Sequence, residues 1–268
     1  YAYIVQRIEG QNLQHLEYGH ADAKSLTVSF WTKRPLTGVH NVAIYSQDAT
    51  HRTYVREFTI AVADTWEYFS LTFPGDASGN INDDNGAGID LIFPLMSGST
   101  WQISADTWSA GQDWATSNIV NDVGIAGDII YLTGVQLEIG DVSTDFAHED
   151  IGTQLRKCQR YFFSTNIFGA STRYAAGAYD ATNALGFLTH FPTTMRAVPT
   201  AAFDSSVYRS AHDGAVHDSS ITIGFTVQAD GYMPNIGVQS SATQGEWYWI
   251  IDNGGDATTG AITFTAEL

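Results

Sequence analysis

The chain is short of charge. Asp, Glu, Lys and Arg make up 15% of its 268 residues, against ~25% in an average soluble protein. Cations are scarcest: 12 Lys and Arg stand against 29 Asp and Glu, for a formal charge of −17. A nucleic-acid binder needs clustered cations to displace counterions from phosphate, and the densest group here is Arg156-Lys157-Arg160. Nucleic acid and anionic membrane surfaces are therefore poor partners. One cysteine, Cys158, excludes an intrachain disulfide. Packing, bound metal or oligomerisation must hold the fold instead. No apolar run approaches the ~20 residues of a membrane span, and no signal peptide is visible, so membrane insertion is not expected. The chain opens at Tyr1 without methionine, in what reads as mid-strand, so an upstream portion is expected.

Catalytic signatures are missing too. The eight histidines are scattered, with no HExxH or other close ligand pair. There is no G-x-S-x-G elbow and no phosphate-cradling glycine loop. Carboxylates are many, but no pair sits in an apolar setting that would raise one pKa for glycoside hydrolysis. No repeat of the kind that builds a parallel β-helix is visible. An enzyme is not expected.

What is present is aromatic and turn-forming: aromatics reach 13%, with 25 glycines, a composition suited to sheets joined by turns. Two domains fit the length. In the first half, alternation predicts strands over Tyr1–Ile8, Ser25–Lys33, Val39–Ser46, Trp66–Phe73, Ile89–Leu95 and Asp128–Ile139, a strand pair or one long bent strand over Arg52–Val62, and a possible short strand at Leu13–Leu16. Leu26, Val28 and Phe30 share one face of their strand, and Thr27, Ser29, Trp31 and Lys33 the other. Pro35 and Gly38 suggest a hairpin joining that strand to the next. In the second half, strands are expected over Gly169–Tyr179, Ala184–Phe191, Thr200–Val207, Ser220–Gln228, Trp247–Ile251 and Ala261–Leu268. The fold class is all-β, as two antiparallel β-sandwich domains.

Between them, GVQLEIGDVSTDF (134–146) leads to LRKCQRYF (155–162), with a short helical pattern around Leu155 and Cys158. This joint resembles that of tailed-bacteriophage tail-fibre and receptor-binding proteins. Upstream, RIEGQNLQHLEYG, AKSLTVSFWTK and ADTWEYFSLTFPGD are similar to the carbohydrate-binding-module-like jelly roll of such proteins. Downstream, HFPTTMRAVPT and the terminal ITFTAEL are similar to their C-terminal part. The resemblance implies a jelly roll over 1–147, a linker with a short helix over 148–160, and a C-terminal β-sandwich over 161–268. It further implies a homotrimer in the virion, on a tail fibre or other external appendage. Its partners would be other virion proteins and a bacterial surface polysaccharide that it binds without cleaving. A structural or decoration protein and a polysaccharide depolymerase are the competing classes.

Glycan sites pair exposed rings, which stack on a sugar's apolar face, with amides and carboxylates for its hydroxyls. Trp101, Trp108 and Trp114 fall within an irregular segment that also holds Gln112 and Asp113, and they either stack on sugar or plug the end of the sandwich. Trp31 and Tyr45 lie opposite the presumed core faces of their strands, as a platform or beneath a covering layer. Trp66, at the start of its strand, reads as a core plug. Asp83, Asp84 and Asp90, among Asn and Gly residues, suit either a structural Ca²⁺ or a plain turn. The resemblance to carbohydrate-binding jelly rolls, which often carry a structural ion near the chain ends, makes Glu9, Glu138 and Asp141 a second possible calcium set. Cys158 reads as a buried small apolar side chain. Alternation puts Trp247 and Trp249 on one face, as core or as a trimer interface.

Overall fold

In the computed structural model, backbone is described for residues 1–48, 51–124, 129–166, 173–179, 184–186, 191–203, 208–212, 215–217, 236–237, 247–252 and 261–267, and side chains for 1–48, 51–124, 129–164, 191–202 and 263–267. The chain forms two compact units, Tyr1–His148 and Glu149–Glu267. Every strand pair is antiparallel, so the all-β class holds.

The first unit contains β1 (Ala2–Glu9), β2 (Leu26–Lys33), β3 (Gly38–Ser46), β4 (Arg52–Ile60), β5 (Trp66–Phe73), β6 (Ala87–Met96), β7 (Ser109–Ala110) and β8 (Tyr131–Ile139). A five-stranded sheet has the order β1-β6-β3-β4-β7 and a three-stranded sheet the order β5-β2-β8. The alternating apolar residues of both sheets meet in one core. Phe30 of β2 lies at its centre, 5.3 Å from Phe58, 5.2 Å from Phe93 and 5.7 Å from Phe69 between ring centroids. Phe30 and Phe69 belong to the three-stranded sheet and Phe58 and Phe93 to the five-stranded one, so the edge-to-face contacts of Phe30 with Phe58 and Phe93 join the layers.

Two expectations are corrected here. β2 and β3 do not pair: β2 lies between β5 and β8, and β3 between β4 and β6. Alternation reports which face a residue occupies, not which strand lies beside it. Leu13–Leu16 is not a strand. Gly10–Asn12 and Gln14–Leu16 are single 3₁₀ turns, and they carry Leu13 and Leu16 into the core.

The β2–β3 connection is anchored by buried charge. Arg34, His40 and Asp122 are all but inaccessible. The Arg34 guanidinium pairs with the Asp122 carboxylate, and His40 Nδ1 lies 3.2 Å from the same oxygen. Arg34 also lies over the Phe58 ring at 5.6 Å. Burial pulls the Arg34 pKa down and Asp122 pushes it back up. The Asp122 amide donates to Leu95 O (2.8 Å) and the Val120 amide to Val39 O (2.8 Å). The 119–122 segment is thus bound to the core edge by both backbone and charge.

In the second unit, α1 (Ile151–Gln159) is capped by Asp150, whose carboxylate accepts from the Gly152 and Thr153 amides. Its strands are β9 (Phe162–Asn166), β10 (Arg173–Tyr179), β11 (Ala184–Gly186), β12 (Thr200–Phe203), β13 (Tyr208–His212), β14 (Ala215–His217), β15 (Ile236–Gly237), β16 (Trp247–Asp252) and β17 (Ala261–Thr265). They form a six-stranded sheet, β14-β13-β16-β10-β11-β15, and a three-stranded sheet, β12-β17-β9. Phe191, Met195, Phe264 and Ala266 are buried. Cys158 is exposed, contrary to the expectation of a buried small residue, because no residue of α1 is buried. Helical periodicity marks a face but not a layer to cover it. Trp247 and Trp249 lie on β16, between β13 and β10, while their side chains lie outside the described residues, as does the expected strand over Ser220–Gln228. Among the described residues no helix is long and apolar enough to cross a membrane.

Replacing Asp122 by Asn removes the counter-ion of a buried guanidinium. Urea unfolding of the D122N chain should show a loss of about 3–5 kcal/mol.

Candidate functional site

Each sheet of the first unit has an outer face, and the two are finished differently. On the five-stranded sheet, the segment 97–118 lies as a cover. Trp114 is buried and stacks on Trp101 (4.6 Å, 12° between planes), with Tyr1 and Tyr3 edge-on at 5.1 and 5.3 Å. These rings close a small apolar cluster with Ala43, Val55 and Ile92. Trp108 instead seals the main core, meeting Tyr18 and Tyr54 edge-on and donating its Nε1 hydrogen to Pro74 O at 2.9 Å. Of the two roles open to these tryptophans, packing is the one the structure shows: Trp114 is buried, and Trp101 and Trp108 are partly buried against the two apolar clusters. A tryptophan-rich loop looks the same in sequence whether it covers a sheet or faces a ligand.

Tyr45 lies on this same covered face and is itself buried. Its hydroxyl is hydrogen-bonded to His51 Nδ1, with the His51 ring stacked at 5.7 Å, and its side chain also hydrogen-bonds Gln112. Burial raises the Tyr45 pKa. Asp90 stands opposite Tyr45 in the neighbouring strand. Its Oδ2 accepts from Gln47 Nε2 (2.7 Å) and lies 3.5 Å from Arg7 Nε, and burial raises its pKa. Asp113, also raised by burial, is half-buried beside the exposed Gln112. Tyr45, Gln112, Asp113 and Asp90 thus fall on one sheet face, though Tyr45 gives no exposed platform.

The candidate calcium ligands do not converge. Asp83 and Asp84 are exposed in the loop before β6, where Asp84 Oδ1 accepts from the Gly86 amide at 2.7 Å in a local turn. Asp90 is held by Gln47 and Arg7 instead. In the second set, Glu9 is buried and accepts from Gln11 Nε2 at 2.6 Å, whereas Glu138, on the other sheet, accepts from Thr144, and Asp141 is exposed. No group of three His, Cys, Asp or Glu side chains suited to a metal occurs among the described residues. Short-range Asp/Asn/Gly chemistry is satisfied by turns.

The outer face of the three-stranded sheet gathers four half-exposed rings. Register aligns Trp66, Lys33 and Tyr131 in one rung across β5, β2 and β8, and Tyr68, Trp31 and Thr133 in the next. Trp31, Trp66, Tyr68 and Tyr131 retain 46%, 45%, 45% and 43% exposure, which leaves ring surface free for a ligand. Trp31 lies 5.4 Å from Tyr68, Trp66 6.0 Å from Tyr131, and Lys33 Nζ 5.4 Å from the Tyr131 centroid. Trp66 is therefore no core plug. The alternation that places Phe69, Leu71 and Phe73 inward places Trp66 and Tyr68 outward, so the signal was present in the pattern.

Tyr131 was not so legible. Its parity matches Val135 and Leu137, which pack into the core. A bulge between the Ser29 and Trp31 pairings, with Gly134 in left-handed conformation (φ 58°), inserts one residue and reverses the alternation. Tyr131 and Thr133 then share the outer face with Gln136 and Glu138.

The remaining rungs are covered by the segment 140–148, which leaves β8 and crosses the sheet. Thr27 Oγ1 donates to Gly140 O (2.8 Å), Thr72 Oγ1 to Asp141 O (3.2 Å) and Tyr68 OH to Ser143 Oγ (3.2 Å). The Thr144 amide donates to Glu138 (3.0 Å) and the Ala147 amide to Gln136 Oε1 (2.7 Å). This strap lies on the hydroxyl- and amide-bearing half of the face and reaches the aromatic half at the Tyr68 hydroxyl.

Compared with known protein families and with curated proteins, the chain matches neither a family model nor a curated relative.

Two outcomes are expected. Gly134→Val forces a β-branched residue into the left-handed region and should destabilise the first unit by about 1–2 kcal/mol in urea unfolding. The Glu138 carboxyl is held below its ordinary 4.5 chiefly by the Thr144 hydroxyl, then by Gln136 and the Thr144 amide. The strap's attachment through Glu138 is therefore complete above pH 4.5 and is lost as pH falls through the lowered value. The NMR shift of the Thr144 amide should report that titration, and Glu138→Gln should abolish it.

Proposed function

We propose that the chain is an adhesin of a tailed-bacteriophage virion, a tail-fibre or receptor-binding protein that binds bacterial surface polysaccharide and does not cleave it. The supporting observation is the block of four half-exposed rings on the β5-β2-β8 face. Planar aromatic surface pairs with the apolar face of a pyranose, and the hydroxyls and charge around it supply polar contacts. The resemblance of the motifs in both halves of the sequence supports reading the first unit as a jelly roll and the second as a tail-fibre-type β-sandwich, in a homotrimer. Three copies of one modest site give firm attachment through effective concentration, with no further contact needed.

The sugar-binding surface in this reading is Trp31, Trp66, Tyr68 and Tyr131, in place of the packed Trp101, Trp108 and Trp114. Exposed surface substitutions seldom move stability by more than ~0.5 kcal/mol. A Trp31→Ala/Trp66→Ala chain should therefore unfold with the wild type in urea yet lose affinity for its polysaccharide by roughly tenfold or more. Trp108→Ala should instead cost about 2 kcal/mol or more of stability. Affinity electrophoresis through polysaccharide gels measures the binding. Retardation unchanged in the double variant overturns this site. Absence of retardation with every host polysaccharide turns the reading toward a structural or decoration protein of the virion, with the rings buried between subunits.

A further inference from the structure

We infer that the aromatic face selects an acidic saccharide, with Lys33 as the group that reads its negative charge; the inference rests on the glycan-binding reading above. The first unit has six Lys and Arg residues: Arg7, Lys24, Lys33, Arg34, Arg52 and Arg56. Arg7 is paired with Asp90, Lys24 with Glu17, Arg34 with Asp122, Arg52 with Asp76 and Arg56 with Asp106. Lys33 alone among them, within the described residues, has no carboxylate partner. In a chain with 29 acidic residues, that is an unusual condition for a cation.

Its position gives the condition a use. Lys33 is the middle member of the rung Trp66–Lys33–Tyr131 and lies two residues from Trp31 on the same face of β2. Its ammonium rests near the Tyr131 ring at 5.4 Å, partly shielded from water, where an ion pair is stronger than in bulk. The carboxylates closest along the strands are engaged elsewhere. Glu67 accepts from the Ala61 and Val62 amides, and Glu138 holds Thr144 under the strap. A pyranose laid on Trp31 and Trp66 can therefore place a ring carboxylate on Lys33. A neutral sugar would leave the ammonium without a counter-charge.

The formal charge of −17 sharpens the test. The general field of the protein repels a polyanion, so any preference for one must come from a local cation. The probes are polygalacturonate, alginate, hyaluronate and polysialate, set beside dextran, mannan and fully methyl-esterified polygalacturonate. Binding is read by tryptophan fluorescence titration at physiological salt. The wild type should favour an acidic polysaccharide over neutral ones and, where polygalacturonate binds, over its methyl ester. Lys33→Gln should weaken acidic binding by about fivefold and reverse the preference, and Lys33→Arg should restore it. Equal binding of acidic and neutral probes, unmoved by Lys33→Gln but lost in Trp31→Ala, overturns the charge inference and keeps the site. No binding to any probe, acidic or neutral, sinks the glycan-binding reading together with the inference.

Discussion

The contact between Phe30 and the rings of Phe58 and Phe93 is the joint on which the first unit depends. β2 is the middle strand of its sheet, so seating Phe30 against β4 and β6 fixes the whole three-stranded layer on the five-stranded one. Once that contact sets the inner faces, strict alternation leaves Ser29, Trp31 and Lys33 no choice but the outer side. The accessible aromatic block is thus a direct consequence of core packing on the other side of the same strand.

An outer face must then be covered or used. The five-stranded sheet is covered: Trp114 and Trp101 form a stacked lid, and Asn41 holds the Thr116 amide at 2.9 Å. The three-stranded sheet is treated in halves. The polar rungs beyond Trp31 receive the 140–148 strap through Thr27, Thr72, Gln136 and Glu138. The aromatic rungs are met by the strap only at the Tyr68 hydroxyl among the described residues, and four half-exposed rings remain at the surface beside Lys33, which has no carboxylate partner among those residues.

Charge follows a similar division. Cations in this acidic unit are spent on structure, most plainly in the buried Arg34–Asp122–His40 group. Arg52 and Asp76 do the same near the loop 76–80. Lys33 stands apart from that pattern, which is why its position among rings has chemical meaning.

The sequence by itself determined the all-β class, the positions of most strands in the first unit, and the inward set Leu26, Val28 and Phe30, because a period of two is imposed by the pleat. It also contained the outward placement of Trp31, Lys33, Trp66 and Tyr68, since each alternates with a core residue. Only the tertiary structure decided strand partners, as the separation of β2 from β3 demonstrates, because pairing depends on long-range closure that alternation does not encode. It alone placed Tyr131 outward, through a left-handed glycine that shifts parity by one residue. It alone assigned Trp101, Trp108 and Trp114 to packing and Trp66 to the surface, because whether a ring is covered depends on which distant segment crosses it.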